Sequence, residues 1–154
     1  MKIRLANESD LPKLKALSEA AGSAAQWTEQ QWLEIFQTQT PARFAWIAET
    51  RNAENEPRET GFLVAQNIGP EWELENIAVL PRFRRQGVGL GLFSALLIKA
   101  QSLRAERILL EVRASNQSAI RFYRASGFRL LAQRREYYRN PVEDALILEY
   151  LFMN

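Results

Sequence analysis

The chain contains neither cysteine nor histidine among its 154 residues. Without cysteine it has no disulfide bond, no thiolate metal ligand and no cysteine nucleophile. Without histidine it lacks the commonest general base, the serine–histidine nucleophile pair and imidazole metal ligands. Any acid–base chemistry must therefore use Glu, Asp, Tyr, Lys, a chain terminus or water, and we expect no metal centre.

Long apolar runs are also missing, and none approaches the roughly 20 residues that a membrane-spanning helix needs. The charged residues near the N-terminus leave no uncharged segment for a secretory signal. The apolar share of 47% and the charged share of 25% are ordinary for a soluble globular protein. We expect a cytoplasmic protein with a single domain over residues 1–154. It is expected to be a monomer or weak dimer that binds neither a membrane nor nucleic acid directly.

Apolar periodicity and turn residues predict the element order β-α-α-β-β-β-α-β-α-β-β. Asn7 is the predicted cap of the first helix, and Thr28 opens the second with Gln31 in the capping-box position. Turns join the early strands and helices join the later ones, which predicts a mixed α/β (α+β) sheet, antiparallel first and parallel at helix crossovers. The strands are predicted over residues 2–6, 44–49, 60–67, 72–80, 107–113, 128–135 and 145–151.

A basic, glycine-rich turn follows the fourth predicted strand and opens a long amphipathic helix. Pro81 ends the strand, because proline lacks the N–H that a central ladder requires. Gly87 and Gly89 allow the backbone to approach a ligand closely. Exposed N–H groups at the start of the helix, with arginines alongside, form a site for phosphate or pyrophosphate. The glycine spacing matches neither a Walker A loop nor the dinucleotide-binding fingerprint.

A second informative stretch runs from Leu110 to Phe128, and it holds a carboxylate in an apolar strand and a tyrosine in the following helix. Together with the glycine turn, this stretch resembles the core motifs of the GNAT superfamily of N-acetyltransferases. The resemblance is closest to the RimI-type branch, the ribosomal-protein alanine N-acetyltransferases. Residues 135–138, followed by Glu143-Asp144, extend the likeness to that branch.

The resemblance implies a GNAT fold in which the fourth and fifth strands splay apart and admit acetyl-CoA as co-substrate. Glu111 would accept a proton from the attacking amine, and Tyr123 would donate one to the departing thiolate. A backbone N–H near Val79 would polarise the thioester carbonyl. The residues that the resemblance assigns to acetyl-CoA are Ile77, Ala78, Val79, Arg84, Arg85, Gln86, Gly87, Val88, Gly89, Leu90, Asn116 and Tyr123.

Each of the two candidate catalytic residues also has a purely structural interpretation. Glu111 stands in an apolar run, where burial would disfavour its charged form and favour proton uptake. Alternatively it is a structural carboxylate paired with Arg113 or another arginine. Tyr123 follows Asn116 by two turns on the same face of the predicted helix. Alternatively it is an ordinary core tyrosine packed among phenylalanines.

Further candidates lie on the side where an acceptor would bind. Glu75 is a second candidate base, because many GNAT enzymes draw a base from the fourth strand. Glu73 is predicted to share its facing, and both could instead bind the substrate's ammonium group or lie on a solvated strand face. Tyr137 and Tyr138 are predicted on the connection between the last two strands, where they would clamp a peptide backbone or pack against the preceding helix.

These features predict an N-acetyltransferase that moves acetyl from acetyl-CoA to a protein N-terminal α-amine, specifically alanine of a small-subunit ribosomal protein. Direct transfer in a ternary complex is expected, because the chain has no cysteine or histidine to carry the acetyl group. One alternative is a GNAT enzyme that acetylates a small amine or a lysine side chain. Another is a catalytically silent acyl-CoA-binding regulatory module, which the presence of both Glu111 and Tyr123 disfavours.

Overall fold

The computed structural model describes residues 1–22, 27–37 and 41–153. These ranges form one seven-stranded sheet and four α-helices in the predicted order. The strands are β1 (Lys2–Leu5), β2 (Ala42–Arg51), β3 (Pro57–Ile68), β4 (Glu71–Val79), β5 (Arg107–Arg113), β6 (Arg129–Tyr138) and β7 (Glu143–Leu151). The helices are α1 (Leu11–Ala21), α2 (Glu29–Glu34), α3 (Val88–Ser102) and α4 (Gln117–Ala125). None of the helices within these ranges has the length and apolarity that crossing a membrane requires.

The strand order across the sheet is β1-β2-β3-β4-β5-β7-β6. β1 to β4 form antiparallel pairs, as the turns between β2, β3 and β4 predict, whereas β1 pairs with β2 although α1 and α2 lie between them in the chain. α3 crosses over between β4 and β5, and these two strands pair in parallel. α4 crosses over without a second parallel pair, because β7 lies between β5 and β6 and pairs antiparallel with both.

Asn7 and Thr28 cap the first two helical segments, as predicted, and each cap is part of a capping box. Asn7 and Asp10 form one around a short 3-10 turn (Glu8–Asp10) that leads directly into α1. Thr28 and Gln31 form the other, in which the Gln31 N–H donates to the Thr28 hydroxyl at 3.2 Å and the Thr28 N–H donates to the Gln31 amide oxygen at 2.8 Å. Each box satisfies backbone N–H groups that a helix start would otherwise leave without partners.

Apolar side chains fill two cores on opposite faces of the sheet. The core under α3 and α4 contains Leu92, Leu96 and Ile120, packed on the β5 residues Leu110 and Val112. The core under α1 and α2 contains the side chains Leu14, Leu17, Ala21, Trp32, Ile35, Ala45, Ile47, Phe62, Val64 and Ala78. Trp32 is 5% exposed and packs against Trp27 with ring centroids 4.9 Å apart, so this tryptophan pair contributes to the core.

Candidate active site

The candidate site begins where β4 and β5 part. Their parallel pairing covers three registered positions and ends at Glu73 and Leu109. Both strands continue beyond this point, β4 to Val79 and β5 to Arg113. The predicted splay is therefore present, and it opens a gap between two strands in the middle of the sheet.

A β-bulge reverses the facing of β4 beside this opening. Consecutive register partners in β3 lie opposite Leu74 and Asn76, so Glu75 is the extra residue. Leu74, before the bulge, packs in the core under α3 and α4. Ala78, after it, packs in the core under α1 and α2, although strand alternation alone would give both residues the same facing.

The backbone of β4 presents two residues to the opening. The Leu80 N–H donates to the Thr60 carbonyl at 2.8 Å, which sets the alternation of the antiparallel ladder with β3. By this alternation the backbone of Ala78 pairs with β3, whereas the N–H and C=O of Ile77 and Val79 point toward β5, beyond the last parallel pair. Of the three residues expected to pair with the pantetheine arm, Ile77 and Val79 are therefore suitably placed and Ala78 is directed away.

The glycine turn leaves the start of α3 open to an anion. Gly87 is the N-cap with φ of +83°, a left-handed conformation that favours glycine, and Arg85 is also left-handed at +61°. Within the described residues no side chain caps this helix, so its first N–H groups are available to phosphate oxygens. A Cβ on Gly89 would lie 3.3 Å from the Phe122 ring, so the start of α3 packs closely on α4.

The other residues of the turn differ in their surroundings. The Arg84 Nε donates to the Val79 carbonyl at 3.0 Å, and its Nη2 donates to the Ala21 carbonyl at 2.9 Å. The Gln86 side-chain amide donates to a carbonyl within the turn at 3.0 Å. Val88 is 3% exposed and Leu90 is 55% exposed. Arg84 thus supports the turn from the end of α1, and its contact with acetyl-CoA stays a prediction.

Glu111 lies on β5, just beyond the last parallel pair, with an exposed side chain. Leu110 and Val112 face the core under α3 and α4, so strand alternation turns Glu111 to the opposite face. The expectation that apolar neighbours bury this carboxylate is therefore wrong. Arg113 instead lies 3.5 Å from the Glu143 carboxylate, and within the described residues Glu111 forms no ion pair with this or another arginine.

Glu73, Glu75 and Glu111 form what we call the acidic cluster. Arg43 holds Glu75 through two hydrogen bonds, of 2.8 Å from Nε and 3.2 Å from Nη2. Burial raises the pKa of Glu73 above its ordinary value, and the negative charges of Glu75 and Glu111 raise it further. The cluster therefore combines a carboxylate held by an arginine, an exposed carboxylate and a third one that retains its proton more readily.

Tyr137 and Tyr138 lie beside Glu111. They are the last residues of β6 rather than part of a connection, which corrects the expectation, because strand pairing resumes at Tyr138 opposite Glu143. Their rings meet edge to face with centroids 5.3 Å apart. Hydrogen bonding to the Glu111 carboxylate raises the pKa of Tyr137. Burial, followed by the charge of Glu111, raises the pKa of Tyr138.

Tyr123 and Asn116 lie on α4, the helix that follows β5. Tyr123 is 7% exposed and packs edge to face with Phe122 and Phe128, at centroid distances of 5.5 and 5.6 Å. Burial raises its pKa, to which Tyr138 contributes, so the phenol stays protonated. Asn116 caps α4 by accepting a hydrogen bond from the N–H three residues later at 3.3 Å. Tyr123 therefore has the surroundings of a core tyrosine while it lies near the tyrosines of the acceptor side.

Sequence reasoning misses two arginines at the site. Arg43 in β2 is separated from its partner Glu75 by 32 residues, and no local pattern connects the two. Arg113 places its guanidinium 4.2 Å from the centroid of the Tyr138 ring, a cation–π distance. Only the strand register, which local patterns do not define, reveals these partnerships.

The site's geometry agrees with a comparison of the whole sequence to known families. A sequence profile described as "Acetyltransferase (GNAT) family" matches residues 11–128. The chain belongs to this family. The GNAT fold accounts for the splayed strands β4 and β5 and for the open start of α3, the helix that connects them. Membership of the family makes this protein an acetyl-CoA-dependent N-acetyltransferase.

Individual relatives give a narrower likeness. The chain is 32% identical to the ribosomal protein bS18-alanine N-acetyltransferase of Escherichia coli over 142 residues, which are 91% of this chain and 90% of that protein. The crystal structure of the ribosomal-protein-S18-alanine N-acetyltransferase from Escherichia coli has a TM-score of 0.81 at 30% identity and covers 99% of this chain and 95% of that one. Arabidopsis thaliana NAA60 in complex with acetyl-CoA has a TM-score of 0.84 at 16% identity, with 98% of each chain covered, a likeness of fold alone.

Proposed function

We propose that this GNAT enzyme acetylates a protein N-terminal α-amine, specifically alanine of a small-subunit ribosomal protein. The observation that carries the proposal is the position of the Glu111 carboxylate beside Tyr137 and Tyr138, at the point where β4 and β5 part. A base next to aromatic side chains suits an extended peptide whose terminal amine enters the opening. The likeness to alanine N-acetyltransferases over 91% of the chain supports the same choice of acceptor.

The donor side is formed by β4 and the start of α3. Bound acetyl-CoA supplies a thioester whose carbonyl carbon an amine can attack. The outward N–H and C=O groups of Ile77 would hold the pantetheine arm as an added strand would be held, and the Val79 N–H would lie next along the same edge. The N–H groups after Gly87 would bind the pyrophosphate, with Arg85 nearby to balance its charge. Arg84 already occupies the Val79 carbonyl, so the Val79 N–H is the group available to polarise the thioester carbonyl.

The acceptor side is formed by the acidic cluster. An amine attacks only as the neutral base, so a proton must leave the ammonium group first. Glu111 accepts it, because its carboxylate is exposed at the opening. Glu75 is held in two hydrogen bonds by Arg43, and it acts with Glu73 to bind and orient the ammonium group. The Tyr137 hydroxyl, which lies beside Glu111, would keep the carboxylate directed toward the amine.

Tyr123 serves the leaving group. Burial raises its pKa above the ordinary value of tyrosine, so the phenol holds its proton at neutral pH. In this proposal the protonated phenol would donate its proton to the thiolate as the C–S bond breaks. Since no side chain can carry the acetyl group as a thioester or an acyl-imidazole, transfer is direct within a ternary complex. Exchange of label between acetyl-CoA and free CoA without any amine would contradict direct transfer.

The test is CoA release by the purified protein with acetyl-CoA and a panel of peptides that begin with Ala, Ser, Met or Gly. N-terminally blocked peptides containing lysine, and free polyamines, serve as controls. We expect turnover on free Ala N-termini, with kcat lowered by about 100-fold or more in Glu111→Gln and Tyr123→Phe. Turnover confined to lysine or polyamines would contradict the α-amine assignment but leave the acetyltransferase chemistry intact.

A further inference from the structure

β6 contains an arch that regular strand pairing does not explain. Arg134 lies opposite Ala145 and Tyr138 lies opposite Glu143, so residues 135–137 face the single residue Asp144 of β7. The arch raises the chain out of the ladder and presents Tyr137 beside Glu111. Residues 135–138 are called the tyrosine arch below.

The Asp144 side chain holds this arch at two points. Its Oδ1 accepts the Glu136 N–H at 2.9 Å, and its Oδ2 accepts the Gln133 side-chain amide at 2.7 Å. Glu136 has φ of +49°, a left-handed conformation that costs a residue with a Cβ about 1 kcal/mol. The hydrogen bond that the Glu136 N–H donates to Asp144 therefore stabilises the residue whose conformation turns the chain into the arch.

The adjacent Glu143 holds the other wall of the opening. Its Oε1 accepts the Ser115 N–H at 2.8 Å and the Ser115 hydroxyl at 2.5 Å. Ser115 immediately precedes Asn116, the cap of the helix that contains Tyr123. The other carboxylate oxygen, Oε2, lies 3.5 Å from Arg113, whose guanidinium stacks on the Tyr138 ring.

From these contacts we infer that Glu143 and Asp144 are positioning residues, through which two consecutive side chains of β7 set opposite walls of the active site. Asp144 sets the acceptor wall by fixing the tyrosine arch, and Glu143 sets the wall that carries Tyr123 by fixing the turn before α4. Neither reaches the reacting atoms itself. This inference rests on the proposed function. It adds the prediction that Asp144 mainly affects the KM for the acceptor and Glu143 mainly affects kcat.

Kinetics of single variants test the division. Asp144→Ala is expected to raise KM for the acceptor peptide by about 10-fold to 100-fold, with kcat and the Kd for acetyl-CoA close to wild type. Glu143→Ala is expected to lower kcat by a similar factor and to raise acceptor KM less than Asp144→Ala does, since Glu143 reaches Tyr138 only through Arg113. Gln133→Ala is the matched control, because it removes one partner of Asp144 and leaves the Glu136 hydrogen bond in place. Equal effects of Asp144→Ala and Glu143→Ala on both constants would overturn the inference.

A rescue experiment separates positioning from general loss of stability. Glycine adopts positive φ without a steric cost, so Glu136→Gly should make the arch less dependent on Asp144. The double variant Asp144→Ala/Glu136→Gly is expected to recover acceptor KM by several-fold relative to Asp144→Ala alone, and absence of recovery would contradict the role of Asp144. If wild-type enzyme acetylates only lysine or polyamines, the proposed function fails, and the same comparison on that acceptor still decides the inference.

Discussion

At the scale of single residues, we expect the removal of charge from two neighbouring carboxylates of the acidic cluster to change the free energy of unfolding in opposite directions. The pKa of Glu73 is raised in the folded protein, so the folded state holds this proton more tightly than the unfolded chain. The contribution of protonated Glu73 to the free energy of unfolding is complete below the ordinary pKa of glutamate. This contribution is lost as the pH rises through the raised pKa of Glu73. Glu73→Gln should therefore have little effect on the free energy of unfolding near pH 4 and should stabilise the protein increasingly toward neutral pH.

Glu75→Gln is the matched comparison, measured by denaturant unfolding across the same pH range. Its carboxylate is 16% exposed and paired with an arginine that is 19% exposed, so the substitution leaves Arg43 without its anionic partner. We expect Glu75→Gln to destabilise the protein at neutral pH by about 1 to 3 kcal/mol. Destabilisation by Glu73→Gln at neutral pH would contradict the raised pKa of Glu73.

The same residues show how far the sequence defines the site. The residue types and their spacing suffice to predict Glu73, Glu75 and Glu111 near the point where β4 and β5 part and Tyr123 on the helix that follows β5, and the role of each in catalysis stays a prediction. The apolar neighbours of Glu111 do not indicate its environment. Alternate residues of β5 face opposite sides of the sheet, so Glu111 is exposed while Leu110 and Val112 are buried. Side-chain partners distant in sequence, such as Arg43 for Glu75, depend on register, which local pattern does not define.

At the scale of elements, β4 offers a direct test of the donor site by hydrogen exchange. The N–H groups of Ile77 and Val79 point to the opening, whereas the Ala78 N–H lies between them and pairs with β3. We expect the Ile77 and Val79 amides to exchange quickly in the free enzyme and to become protected when acetyl-CoA binds. The Ala78 amide should be protected in both states. Equal protection of all three amides without ligand would show that β4 and β5 remain paired beyond Glu73.

Most helices and strands lie close to where the sequence predicts them. The differences occur where strand pairing determines an element's end or its place in the sheet. The two capping boxes and α3 lie where polar caps and apolar periodicity predict them. β6 extends to Tyr138, beyond its predicted end at 135, because pairing with Glu143 resumes after the arch. The insertion of β7 between β5 and β6 is likewise a property of long-range pairing, for which the connecting segments contain no signal.

At the scale of the whole molecule, the sheet consists of β1 to β4 on one side of the opening and β5, β7 and β6 on the other. Only three registered positions join the two sides directly. A co-substrate held by β4 and by the start of α3 would add contacts at the point where the sheet is parted. Ligand binding to the folded state alone should therefore stabilise the fold, by about 2.7 kcal/mol at a concentration 100 times Kd.

Thermal unfolding with and without acetyl-CoA measures this stabilisation, and a pair of glycine variants locates its source. For a chain of this size the expected rise in Tm is roughly 5 to 10 °C.

Gly87 and Gly69 both have left-handed φ, of +83° and +65°, and a Cβ on either would meet no atom within 4 Å. Gly87→Ala and Gly69→Ala should thus each lower the free energy of unfolding of the free enzyme by about 1 kcal/mol, and so lower its Tm by similar amounts. Since only Gly87 shapes the start of α3, only Gly87→Ala should lose most of the rise with acetyl-CoA. A full rise in Gly87→Ala would mean that the glycine turn does not bind the pyrophosphate.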